Sequence, residues 1–211
     1  METIYESEKI KIHVAQLGML GNNVFVLESE GEKALVDPAC NAGQILEMVE
    51  NKLDKILLTH YHWDHIRALA EVQAATGAKT FASEKDAPFI EDTEKAPLYR
   101  KTDSCKIDTK LKDGDTVTIG ATTWKVIETP GHTPGSICFY SEDCGDNPVL
   151  ICGDVLFRCS CGRTDFPDGN ELDMRNSLAK LAKLPDNTLV LPGHDQLTTI
   201  GEERNFMLSG L

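Results

Sequence analysis

Thr59-His60-Tyr61-His62-Trp63-Asp64-His65 is the stretch on which the reading of this chain turns. An apolar segment, Lys55 to Thr59, leads into it, and Ile66, Leu69, Ala70 and Val72 follow with helical spacing that Gly77 can end. The run therefore sits where a buried strand becomes a helix. Alternate side chains of an extended segment share a face, so His60 and His62 can grip one ion while Asp64 and His65 turn toward a neighbouring point. Four candidate ligands within six residues form a metal-site pattern rather than a scatter of core histidines.

Further along, Pro130-Gly131-His132-Thr133-Pro134-Gly135 reads as a rigid loop between the strands Ala121 to Glu128 and Ser136 to Tyr140. The strand Pro148 to Cys152 delivers Gly153-Asp154, and the strand Thr188 to Leu191 delivers Pro192-Gly193-His194. Imidazole and carboxylate donors together suit zinc, iron or manganese, and no CxxC pair points to a structural zinc knot. Two divalent ions, with zinc preferred, could be served if His60, His62 and His132 hold the first, Asp64, His65 and His194 the second, and Asp154 bridges them. Asp64 and Asp154 are the candidate catalytic carboxylates. His13, in an early strand without a companion ligand, reads as structural. Asp37 either caps a turn before Pro38 or orients a ligand from behind. Tyr61 and Trp63 either wall a pocket or pack on the sheet. Cys159 and Cys161 read as small buried thiols rather than a metal-binding pair, and Arg163 with Asp165 as an ion pair, with a substrate contact by Arg163 as the alternative.

The rest of the chain supplies a frame. Strands are expected at Ile10 to Val14, Val24 to Leu27 and Ala34 to Val36, with Gly21-Asn22-Asn23 as a turn. Asn41 and Gln44 resemble a capping box before a helix whose apolar face is Ile45, Leu46, Val49 and Leu53. The densely charged stretch Glu84 to Lys112 reads as a short helix and a surface loop over a site. Asp113-Gly114 turns into a strand at Thr116 to Ile119, and a last helix runs from Glu171 to Leu184. This order predicts two mixed sheets packed face to face with helices outside, in a single domain spanning residues 1–211.

The chain has 211 residues, and 21 Lys plus Arg against 34 Asp plus Glu give a net charge of −13, with the acids spread along its length. That balance disfavours a nucleic-acid partner, which a basic face would have to hold. Met1 to Lys9 reads as neither a secretory signal nor a transit peptide, and no run approaches the ~20 apolar residues that span a bilayer. Seven cysteines, an odd set, suit a reducing cytosol, so a cytoplasmic protein is expected.

The histidine-aspartate run, Pro130 to Gly135, Gly153-Asp154, Pro192-Gly193-His194 and Leu35-Val36-Asp37-Pro38 together resemble the ordered motifs of metallo-β-lactamase-fold hydrolases. The likeness extends from about Val24 to Glu203. It implies an α+β fold, a four-layer αββα sandwich, with His60, His62, Asp64, His65, His132, Asp154 and His194 as metal ligands. Gly153 to Phe157, Gly162 to Pro167 and Leu197 to Arg204 look most like short glyoxalase II-like (hydroxyacylglutathione hydrolase-like) proteins, which implies hydrolysis of a small-molecule thioester such as an acylglutathione. The chain departs from them at Arg67-Ala68, where they carry a Gly pair. It also stops at Leu211, whereas full-length glyoxalase II continues into a C-terminal helical domain that supplies glutathione contacts. Cys161 to Phe166 and His194-Asp195 also resemble persulfide dioxygenases, which implies the alternative of one iron held by His60, His132 and Asp154.

Overall fold

The computed structural model describes residues 1–97 and 100–209. Four strands come first, β1 (Glu2–Glu6), β2 (Lys11–Leu17), β3 (Asn22–Ser29) and β4 (Glu32–Val36), then helix α1 (Ala42–Met48) and strand β5 (Lys55–Leu57). Helices α2 (Trp63–Ile66) and α3 (Leu69–Thr76) lead to β6 (Lys79–Ser83), α4 (Ala87–Glu91), a 3-10 turn at Thr93–Lys95 and β7 (Thr109–Leu111). The second half contains β8 (Thr116–Ile119), β9 (Thr122–Glu128), β10 (Ile137–Ser141) and β11 (Val149–Gly153). A small hairpin follows, β12 (Leu156–Phe157) and β13 (Ser160–Cys161), then α5 (Glu171–Leu181), β14 (Leu189–Pro192), β15 (Thr198–Thr199) and α6 (Ile200–Ser209).

One sheet runs β1 to β7 in sequence order, and the other runs β15-β14-β11-β10-β9-β8. Side-chain alternation explains how they stack. Phe25 and Leu27 of β3, Val36 of β4 and Leu57 of β5 face the space between the sheets, where Ile137, Phe139, Val149 and Ile151 meet them. The residues between them, Val24, Val26, Leu35 and Ile56, point the other way and pack with Ile45 of α1 and Leu69 and Val72 of α3. On the second sheet Cys138, Leu150 and Val190 face outward to Met174 and Leu178 of α5 and Met207 of α6. Strands buried on both faces read as continuous apolar runs, and the product is an α+β, four-layer αββα sandwich.

Several local expectations need correction. The first turn lies at residues 18–21, and Asn22 and Asn23 already belong to β3. Asn41 caps no amide with its side chain. It sits in the left-handed region at φ 58°, which asparagine tolerates, and only its carbonyl receives Ile45 N–H, at 3.1 Å. The helix after the histidines is two pieces, α2 and α3, the second closed by Gly77 at φ 70°. Strands β1, β6, β7 and β15 and helix α6 were not legible. They are short, or, in α6, bury only Ile200, Glu203 and Met207. Within residues 84–112 a short helix and a 3-10 turn do occur, while residues 98 and 99, like 210 and 211 of the expected single domain, lie outside the described residues.

Strand ends collect at one rim. Asp37 follows β4, His60 follows β5, His132 lies between β9 and β10, Asp154 follows β11 and His194 follows β14. Backbone hydrogen bonds join the two sheets there: Ile137 N–H donates to Thr59 O at 2.9 Å and Asn23 N–H to Gly193 O at 2.8 Å.

Candidate metal centre

The rim brings six of the seven expected donors into two neighbouring groups, which a third, Asp37 with His60 and His65, overlaps. His60, His62 and His132 form one, and Asp64, His65 and His194 another, with donor atoms inside each group within 4.8 Å of one another. Asp154 lies between them: its Oδ1 is 3.3 Å from His65 Nε2, and its Oδ2 is 3.5 Å from His132 Nε2 and 3.6 Å from His194 Nε2. A Cβ on Gly193 would run into Asp154 Oδ1 and His65, so this close approach requires glycine.

Contacts behind the rings set which nitrogen faces inward. The Thr59 hydroxyl donates to Asp37 Oδ2 at 2.6 Å, so toward His60 Nδ1, 3.0 Å away, it acts as acceptor. His60 Nε2 is then a bare lone pair, buried and without a partner among the described residues. His65 Nδ1 donates to Asp37 Oδ2 at 2.9 Å, His132 Nδ1 to Arg163 O at 2.8 Å and His194 Nδ1 to Leu20 O at 3.1 Å. Four rings are thus fixed through Nδ1 and turn Nε2 into the cluster, the arrangement that metal-binding imidazoles need. His62 differs, presenting Nδ1 to His132 Nε2 at 2.8 Å.

The electrostatics suit a cation held among these donors. Burial pushes His60 well below its ordinary value, and burial together with His132 pushes His62 down to about 3, so both are neutral. Burial opposes charge on His65, but Asp154 and Asp37 on either side outweigh it and hold the ring protonated. Burial likewise opposes ionisation of Asp64 and Asp154. His194, His65 and Asn22 hold Asp64 ionised, and His65 does the same for Asp154. Buried carboxylates beside bare imidazole lone pairs suit a divalent ion, which takes the place of the His65 proton. The donor set fits such ions.

Asp37 resolves its two readings: it sits at φ 49° and grips Thr59 N–H at 2.8 Å, the Thr59 hydroxyl and His65, so it orients a ring from behind. Tyr61 packs in the core and donates to Asp168 Oδ2 at 2.6 Å, whereas Trp63 lines the cavity in front of the donors. Arg163 pairs with Asp165 through two contacts of 2.7 Å. Cys159 is exposed and Cys161 half-buried, contrary to the expectation of buried thiols, because both lie in the β12–β13 hairpin that borders the cavity. His13 stays in β2, facing Thr3 Oγ1 at 2.9 Å, away from the cluster. Arg67 and Ala68 adopt φ −62° and −94°, so ordinary side chains fit where the resembling proteins carry glycine.

Sequence reading overlooked Asp86, which is buried and accepts from Tyr61 N–H at 3.1 Å and the Thr133 hydroxyl at 2.8 Å. It ties the histidine run to the His132 loop. It also missed Asn22, whose Nδ2 donates to Asp64 Oδ2 at 3.0 Å.

Residues 17–194 match the family profile described as the metallo-beta-lactamase superfamily. A hydroxyacylglutathione hydrolase from Fuscovulum blasticum is 39% identical over 181 residues, which are 83% of this chain and 63% of that protein, so the chain spans less than two thirds of its length. Among solved structures, the BLEG-1 B3 metallo-beta-lactamase has a TM-score of 0.84 at 32% identity, covering 93% of this chain and 99% of that one. TTHA1623, solved in a di-iron-bound form, has a TM-score of 0.79 at 31% identity, covering 90% and 96%. ETHE1 from Myxococcus xanthus has a TM-score of 0.77 at 29% identity, covering 93% and 83%. No helix among the described residues is long and apolar enough to cross a membrane.

Proposed function

The chain belongs to the metallo-beta-lactamase superfamily, and on that premise we propose that it is a two-metal hydrolase of a small thioester. His60, His62 and His132 would hold one ion and Asp64, His65 and His194 the second, with Asp154 available to either. The observation that carries the reading is the completeness of the second triad beside the first, with four of the five rings held from behind. Zinc, or iron or manganese, bound in such a site supplies Lewis acidity that activates water and polarises an acyl carbonyl.

The chain's own residues do the rest. Asn22 occupies one lone pair of Asp64 Oδ2 and so keeps that carboxylate aimed at the cluster. Asp37 and Thr59 keep His65 and His60 from rotating. The cavity in front, about 620 Å3, has Phe157, Phe166 and Trp63 as apolar surface for an acyl or thiol chain. A thiol with a pKa of roughly 8.5 leaves without a dedicated proton donor, which suits a site whose buried acids, Asp64 and Asp154, face the donor cluster. The substrate is a small molecule; neither nucleic acid nor membrane enters the reading, and the enzyme works in the cytoplasm. The 39% identity with a hydroxyacylglutathione hydrolase supports the thioester class.

A second reading, a sulfur dioxygenase with one iron on His60, His132 and Asp154, is supported by the likeness to ETHE1. It leaves His62, Asp64, His65 and His194 without a task. Metal content of protein purified without added metal, with acylthioester turnover and persulfide-dependent oxygen uptake on the same sample, separates the two. Two ions per chain with thioester turnover is the expected result. One iron with oxygen uptake, or no thioesterase at full occupancy, would overturn the hydrolase.

A further inference from the structure

A second cavity, about 940 Å3, adjoins the one before the donor cluster. Leu20, Trp63, Asp64 and Arg100 line both, so the two form one groove that passes the donors. Arg67 and Cys40 wall its second arm.

The arms differ in their free charge. In the first, Arg163 is neutralised by Asp165 and stacked 4.2 Å from the centre of the Phe166 ring. The second adds Arg67 to Arg100, which faces both arms, and neither has a carboxylate within salt-bridge distance among the described residues. Arg100 lies 5.3 Å from the centre of the Trp63 ring, which steadies the guanidinium without consuming its hydrogen-bond donors. Of the two acids lining this arm, Asp64 is turned to the donor cluster, which leaves Glu71 against two guanidiniums. In a chain of net charge −13, that places two guanidiniums free of ion pairs in a concavity that focuses the field.

We propose that this arm is a carboxylate subsite: the substrate sets its reacting carbon at the donor cluster and extends a carboxylate to Arg67 and Arg100. The substrate class narrows from thioesters at large to anionic ones. The planar guanidinium fork matches a carboxylate, and two forks in one arm discriminate against the isosteric amide. The inference rests on the thioester reading only for the identity of the reacting group.

The test uses the metal-loaded full chain and two probes that cannot be hydrolysed, methylthiopropionate and its carboxamide, followed by calorimetry. The acid is expected to bind about tenfold more tightly than the amide. Arg67→Gln and Arg100→Gln each reduce that preference, the double variant abolishes it, and Arg67→Lys keeps part of it. Unchanged melting curves show that the variants remain folded. In parallel, the ratio of kcat/KM for a carboxylated over a neutral acylthioester should fall by about threefold in each glutamine variant and about tenfold in the double variant, mainly through KM. Equal binding of acid and amide, no binding of the acid, or a preference that survives in the double variant overturns the subsite. Arginine-dependent binding without turnover of either thioester supports the subsite and removes the hydrolase reading instead.

Discussion

Asp37 Oδ2 lies 2.9 Å from Nδ1 of His65, and the same oxygen takes the Thr59 hydroxyl at 2.6 Å. One carboxylate, on left-handed backbone at φ 49°, thereby fixes a donor of the second triad directly and His60 of the first through Thr59. Asparagine at this place keeps the size but brings an N–H group toward donors. Asp37→Asn is expected to weaken metal affinity by about 10–100-fold, read by chelator competition, with the fold intact by circular dichroism. Wild-type affinity in that variant would show that Asp37 only shapes the turn.

Gly193 packs against Asp154 and His65, where a methyl group has no room. In Gly193→Ala the bridging carboxylate and the second triad must part, so the second site should empty first. Metal titration is expected to show reduced stoichiometry, with a stability loss of about 1–3 kcal/mol in urea melts of the chelated protein. Full stoichiometry with unchanged turnover would mean that the rim yields at no cost.

The candidate donors were legible in the sequence because metal chemistry restricts them to few residue types, and because His60, His132, Asp154 and His194 stand beside strand ends marked by Gly, Pro or Thr. His60 and Asp154 follow apolar runs that could scarcely be anything but buried strands. What holds the donors was much less legible. Asp37 was visible as a candidate only through its motif. Asp86 lies in a charged stretch with no periodicity, and its partners Tyr61 and Thr133 are 25 and 47 residues away in sequence. Hydrogen bonds over such separations leave no local trace. The strands that escaped notice, β6 and β7 among them, are short and add to the sheet edge by parallel pairing, which has no hairpin turn to announce it.

Asp86 supplies a pH-dependent prediction. Burial raises its pKa from 3.8 to about 7. A carboxyl raised in the folded state contributes stability that is fully present below the unfolded value and is lost as pH rises through about 7. Asparagine does not titrate. In chelated protein the stability advantage of wild type over Asp86→Asn should therefore be largest at acid pH, shrink by about 2 kcal/mol or more between pH 3.8 and about 7, and change little above neutrality. A pH-independent difference between the two would mean that Asp86 does not change its protonation state in this range.

Tyr61 links the histidine run to a different loop. Its hydroxyl is the donor to Asp168 Oδ2 at 2.6 Å, and Asp168 Oδ1 is buried without a partner among the described residues. Asp168 ends the segment that carries Arg163, whose carbonyl fixes His132, and Phe166, which meets the His62 ring edge-on at 5.4 Å between centroids. Removing the hydroxyl leaves the carboxylate without a hydrogen-bond partner among the described residues and slackens that segment without touching a metal donor. Tyr61→Phe is therefore expected to keep its metal content, lose about 1–2 kcal/mol of stability, and lower kcat/KM by roughly threefold to tenfold. If the segment is anchored instead by Phe166 and the Asn170 cap of α5, the variant will lose stability while its kcat/KM stays at the wild-type value.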